Sequence, residues 1–277
     1  MRTAKPFPLA LGLAAITIKV IQHLRHSGFG FATTGVQIIV YFERKGADVM
    51  NKWLKTLLFL AGSAFLTRLI PFSSLFRNLD TMVHEFGHAL MTLLLSGSVL
   101  RIELYADHSG VTYSAIGAGA QAILVSLAGY PLASLFSLLL FYLYRRNRLQ
   151  WGLMLSTAIA LIMLILYVRG GFGMMWLAGF IALNLAMMFL WPKISKYYYL
   201  FLAFLTLEES VMGTLFLVSS AAFTPSRAGD AANLARLTPL PAIFWAVLFL
   251  LFSLLCAKGA LGFLFKEERR NGKLGNR

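Results

Sequence analysis

The sequence predicts an all-α polytopic membrane protein of about seven transmembrane helices, with one small β-hairpin, on the length that a bilayer crossing demands. Three observations carry this. Charged residues are 13% of the 277-residue chain and apolar residues 58%; soluble domains carry roughly twice that charge, so this chain cannot cover itself with polar surface. Four runs without charge, 109–144, 149–168, 170–192 and 237–257, each reach the ~20 residues of a membrane-spanning helix. Basic residues fall in short clusters between them: "RRNR" (145–148), "KISK" (193–196) and "KEERRNGK" (266–273). Interleaved in this way, the net charge of +14 points to membrane orientation and lipid headgroups and excludes nucleic acid as a partner. The single cysteine, Cys256, sits in an apolar run and gives no disulfide frame.

In chain order, residues 1–49 form an N-terminal extension. Its apolar stretch, "FPLALGLAAITI" (7–18), is short and soon meets Lys19, His23, Arg25 and His26, which suits neither a spanning helix nor a cleaved signal. Met50 opens "MNKWLKTLLFLAGSAFL", a basic start before an apolar run, and so reads as an alternative translation start. A membrane domain is expected over 50–265 and a basic tail over 266–277. Helices are predicted at 54–70, 77–97, 118–144, 149–168, 172–191, 197–220 and 240–264. Between the second and third, "VLRIELY" (99–105) alternates Leu100, Ile102 and Leu104 with Arg101, Glu103 and Tyr105; "ADHSG" turns, and "VTYSAI" (111–116) alternates again. Period two around a glycine-containing turn predicts a hairpin. With seven crossings the clusters at 145–148 and 193–196 and the tail share one side, which the positive-inside rule makes cytoplasmic. The basic residues of 2–55 then lie outside unless 7–23 also crosses.

The second helix carries "RNLDTMVHEFGHALMTLLL" (77–95). Within it "HEFGH" sets His84 and His88 four apart, so both imidazoles share one helix face and can chelate one metal ion. Glu85 is placed to act as a general base on water beside that metal. Ionisable groups in a membrane helix are costly and therefore mark function; a purely structural polar cluster is the alternative. Asp80, one turn before His84, reads as a helix-start acid favoured by the dipole, or else as a partner for an imidazole N–H. Gly87 suits a close helix approach. So polar a helix belongs inside the bundle.

Two histidines leave zinc short of a third protein ligand. The candidates are Glu208 and Glu209, in the middle of an apolar segment, and Asp230 in "TPSRAGDAANLARLTPLP". Either glutamate could instead pair with Arg68. Asp230 could equally cap a short helix ended by Pro239.

"VHEFGHAL", followed by a hairpin and a long helix with "GYP" (129–131), resembles the site-2 protease family of intramembrane zinc metallopeptidases. The likeness is to its short bacterial branch without a peptide-binding insert. It implies Zn²⁺ bound by both histidines, Glu85 as base, and an aspartate from a later segment as third ligand, which by order in the chain is Asp230. It also implies residence in the bacterial cell membrane and a membrane-associated peptide or transmembrane helix as substrate, unwound and added as a strand to the hairpin edge. The family's Asp-Gly pair is replaced by Asp230-Ala231-Ala232. The alternative function is a metal-binding membrane scaffold or regulator without catalysis. Gly129 and Pro131 are expected to bend their helix.

Overall fold

The computed structural model describes residues 73–274. The extension 1–49 and the helix expected at 54–70 lie outside the described residues. The first described helix, α1 (Ser73–Leu94), is followed by a hairpin of β1 (Ser98–Leu104) and β2 (Gly110–Ala115), then α2 (Ala120–Ser126), α3 (Gly129–Arg145), α4 (Leu149–Ile162), α5 (Gly171–Phe189), α6 (Pro192–Phe223), α7 (Gly229–Leu237) and α8 (Ala242–Leu274). A π turn, Met163–Tyr167, extends α4, and a 3-10 turn, Pro225–Arg227, joins α6 to α7.

Five segments are long and apolar enough to cross a membrane: Ala120–Arg145, Leu149–Tyr167, Gly171–Phe189, Pro192–Phe223 and Ala242–Leu264. The chain is thus an integral membrane protein, and the described residues yield five candidate crossings where the sequence predicted six in that region. The difference is α1. Its 22 residues span ~33 Å, but Arg77, Asp80, His84, Glu85 and His88 interrupt its apolar surface. As expected for such a helix, it is an interior one. Leu79, Met82, Val83 and Ala89 are buried in the main core beside Phe141 and Leu140 of α3 and Leu202 and Val211 of α6. A buried polar chain ties the next three helices together: Tyr198 OH donates to Asn184 Oδ1 at 2.6 Å, and Asn184 Nδ2 donates to Thr157 Oγ1 at 3.0 Å.

The hairpin is antiparallel, with Leu104 opposite Gly110 and Ile102 opposite Thr112. Ile102 and Leu104 point into the core as the alternation predicted, while Leu100 is 65% exposed. The register shifts between Val99 and Arg101, and that bulge adds a residue that turns Leu100 to the outer face. On the outer face Arg101 donates to Glu103 at 2.8 Å, Tyr105 donates to the same carboxylate, and the Arg101 guanidinium lies over the Tyr113 ring. These bonds, Tyr105's first, hold the Glu103 carboxyl below its usual range.

The single helix expected over 118–144 is two. The chain breaks at Leu127–Ala128, between α2 and α3, just ahead of Pro131, which has no N–H to continue the ladder. At the far end of α3 the basic clusters converge. Arg145 lies over the Phe263 ring of α8, and Lys196 of α6 over the Tyr144 ring. The clusters at 145–148 and 193–196 therefore share one end of the bundle, as the sequence predicted.

Candidate metal centre

Three elements far apart in sequence build this site. α1 presents His84 and His88 one turn apart on one face. The last turn of α2 supplies the backbone that orients one of them: His88 Nδ1 lies 2.7 Å from the Val125 carbonyl. A carbonyl only accepts, so Nδ1 carries the proton and Nε2 keeps its lone pair for a metal. Close contact is possible because the crossing is built from glycines. A Cβ on Gly87 would lie 3.0 Å from the Ala128 oxygen, and one on Gly129 would lie 2.6 Å from Nε2 of both histidines. The start of α3 thus sits directly over the two imidazoles, with the Tyr130 ring edge-on to His84 at 4.5 Å and packed on Phe249.

The third group is Asp230. It stands in the first turn of α7, whose cap is Ala228, so the capping expectation does not hold: the carboxylate turns to the histidines. Asp230 Oδ2 is 3.2 Å from Nε2 of His84 and 3.2 Å from Nε2 of His88, and the two nitrogens are 3.0 Å apart. Small residues hold α7 in place. Ala228, Ala231, Ala232 and Leu234 are buried against Leu217 and Ala221 of α6 and Ala242, Ala246 and Phe249 of α8. Trp245 Nε1 donates to Thr238 Oγ1, which donates to the Leu234 carbonyl, closing the end of α7. Ala231 and Ala232, where the resemblance led one to expect a glycine, are therefore packing residues.

Do these three side chains fit a metal ion? Ligands ~2.0–2.1 Å from a tetrahedral zinc are spaced about 3.3 Å apart, close to the observed triangle of 3.0, 3.2 and 3.2 Å. A hydrogen bond can join the two ring nitrogens, but it leaves Asp230 out. Asp230 Oδ2 is buried and satisfied by no hydrogen bond although two ring nitrogens lie 3.2 Å away. Lone pairs converging on one point in a low-dielectric interior are an arrangement that a bound cation would satisfy. Among the described residues, His84, His88 and Asp230 are the group whose ligand atoms all lie within 4.8 Å of one another. Glu208 and Glu209 are not in that group. Glu209 forms a two-pronged pair with Arg77, Nη2 to Oε2 at 3.1 Å with Nε to Oε1 as the other prong; Arg68 lies outside the described residues. Asp80 is seven residues past Ser73 and so outside the first turn, and its Oδ1 is buried without a hydrogen-bond partner among the described residues.

A protein-family model described as Peptidase M50B-like matches residues 56–260. The chain belongs to the Peptidase M50B-like family. That is the site-2 protease relationship expected from "VHEFGHAL", and it makes the chain a member of a family of membrane metallopeptidases. Neither a curated protein nor a solved structure gives a match.

Beside the metal-binding group, Glu85 is buried at 5% exposure. Two features of the hairpin that the sequence reading missed surround its carboxylate. Thr112 donates to Glu85 Oε2 at 2.6 Å. A Cβ on Gly110 would come within 2.7 Å of Glu85 Cγ and 2.8 Å of Oε1. Period two put Thr112 on a strand that began at Val111, with Gly110 left in the turn, and nothing local said that this face meets α1.

Proposed function

We propose that this chain is a zinc-dependent endopeptidase acting within the membrane on membrane-associated peptides or transmembrane helices. The observation that carries the reading is the triangle of His84 Nε2, His88 Nε2 and Asp230 Oδ2, with the Glu85 carboxylate on the same helix turn. Zinc held by these atoms supplies acidification of a water molecule and polarisation of the scissile carbonyl. Glu85, whose carboxylate Thr112 holds through Oε2, takes the proton of the attacking water. Water oxygen bonds to the carbonyl carbon, the C–N bond breaks, and Glu85 returns the proton to the leaving amine. Gly129, by lacking a side chain, lets the start of α3 lie against both imidazoles without a methyl group on their nitrogen lone pairs.

A helical substrate hides its carbonyls in hydrogen bonds and must unwind first. The hairpin can then receive it by strand addition. The outer edge of β1 is bridged at Ile102 by Val168, which favours the outer edge of β2.

The test uses purified full-length protein in detergent, with zinc per chain and cleavage of a quenched-fluorescent single-span peptide of glycine-rich centre as readouts. Wild type is expected to hold one zinc and to cleave. Glu85→Ala should keep zinc and lose cleavage, whereas Asp230→Ala should bind zinc at least about tenfold more weakly. Zinc retention without Glu85-dependent cleavage would favour a metal-binding scaffold instead, and full zinc affinity in Asp230→Ala would remove Asp230 from the ligand set.

A further inference from the structure

We propose that Thr112 is a positioning residue for this reaction: its hydroxyl holds the Glu85 carboxylate in its working orientation and ties that base to the strand on which substrate lies. The proposal rests on the metallopeptidase reading above. The terminal torsion of a glutamate is broad and roughly two-fold, so a general base needs outside contacts to hold one orientation. Glu85 has one on each side. The Thr112 hydroxyl donates to Oε2 at 2.6 Å and also lies 3.1 Å from the Glu85 carbonyl oxygen. The short distance is that of a bond to a charged acceptor. Opposite it, the bare backbone of Gly110 leaves no room for a side chain beside Cγ and Oε1.

Strand geometry explains why one residue can serve both ends. Gly110, Thr112 and Ser114 share one face of β2, and all three meet α1: Gly110 beside Glu85 and Thr81, Thr112 on Glu85, and Ser114 Oγ 2.8 Å from Thr92 Oγ1. The bond from Tyr105 N to Ser109 O sets the phase of the ladder. Hydrogen-bonded and non-hydrogen-bonded pairs then alternate, which makes Ile102–Thr112 a non-hydrogen-bonded pair. The Thr112 N–H and C=O therefore point away from β1, toward the edge of β2 that carries no further strand among the described residues. A substrate strand added there is gripped by the main chain of the residue whose side chain holds the base.

Ser114 provides the control, because its hydroxyl makes a similar strand-to-helix bond two residues along without touching Glu85. Zinc-loaded wild type, Thr112→Val, Thr112→Ser, Ser114→Ala and Glu85→Gln are compared on the same quenched peptide. Thr112→Val should lower kcat by about 10- to 100-fold with KM and zinc content near wild type. Thr112→Ser, which restores the hydroxyl, and Ser114→Ala should both stay within about threefold. Binding of a peptide hydroxamate, whose acidic proton needs a carboxylate beside the metal, should weaken in Thr112→Val and hold in Ser114→Ala. Should Thr112→Val fail to fold, Thr112→Ala removes the hydroxyl without adding bulk and carries the same comparison. A Thr112→Val enzyme with wild-type kcat and hydroxamate affinity overturns the proposal, as does a Ser114→Ala enzyme equally impaired. Wild type cleaving no faster than Glu85→Gln overturns the peptidase reading itself, and this proposal with it.

Discussion

Gly129 is where the smallest chemical change reaches the metal-binding atoms. A methyl group there would sit 2.6 Å from both imidazole nitrogens, far inside contact distance, so the imidazoles would have to swing out of their present positions to make room. Gly129→Ala is therefore expected to weaken zinc binding by at least about tenfold while the helical content stays at the wild-type level; competition with a chelator of known affinity measures the first and circular dichroism the second. Unchanged zinc affinity would mean that α3 does not lie over the site. The residue scale also marks where the sequence could be read. "HEFGH" is legible because both histidines and the base lie on one helix, where spacing fixes direction. Asp230 could be reached only through the order of segments in the resemblance, since its own neighbours read equally well as a cap. Thr112 and the Val125 carbonyl were out of reach. They meet Glu85 and His88 across 27 and 37 residues, and no local pattern encodes which strand face or helix break will meet which turn.

Among the elements, α1 explains why a charged helix is tolerated within an apolar bundle: Arg77 has a partner on α6, and Glu85 and His88 have theirs on the hairpin and α2. Arg77 pairs with Glu209 of α6, with side-chain exposures of 25% and 11%. Removing one partner from a largely buried pair strands the other charge, at a cost of about 2–4 kcal/mol where the pair keeps some solvent contact. Arg77→Met should accordingly lower Tm in detergent, and adding Glu209→Gln should recover most of the loss. Equal Tm values for the single and double variants would show that the pair does not hold α1 to α6. Long apolar helices and the hairpin were legible from length and period. Three features were not: the full division of α2 from α3, where only a bend at Gly129 and Pro131 was expected, the exposure of Leu100, and the role of α7. Each depends on backbone geometry that hydropathy does not record, namely a proline-disrupted ladder, a bulge, and a short helix fixed by buried alanines. The polar stripe of α1 keeps it out of the apolar crossings for the same reason that it builds the site.

Over the whole molecule the polar features fall at separate ends of one crossing. The segment Ala120–Arg145 starts beside the hairpin and ends in the cluster Arg145, Arg146 and Arg148, which Lys196 joins through the Tyr144 ring. From Gly129, over the candidate metal-binding atoms, to Arg145 is 17 residues of helix, a rise of ~24 Å and thus most of the ~30 Å hydrocarbon thickness. The hairpin bears Arg101 and Asp107 exposed to its surroundings, and exposed charges on a strand cannot face lipid. They need water, on the side opposite the basic cluster. Single cysteines decide this, because Cys256 is the one native cysteine and is buried. In a Cys256→Ala background, Asp107→Cys and Asn147→Cys should react with a membrane-impermeant maleimide from opposite sides of the membrane. The positive-inside rule assigns Asn147 to the cytoplasmic side, so it should be protected in intact cells and react once they are broken. The reverse pattern would keep the topology and invert the orientation. Reaction of both from one side would mean that 120–145 does not cross, and the ~24 Å separation of metal centre from basic rim would then lie along the membrane plane.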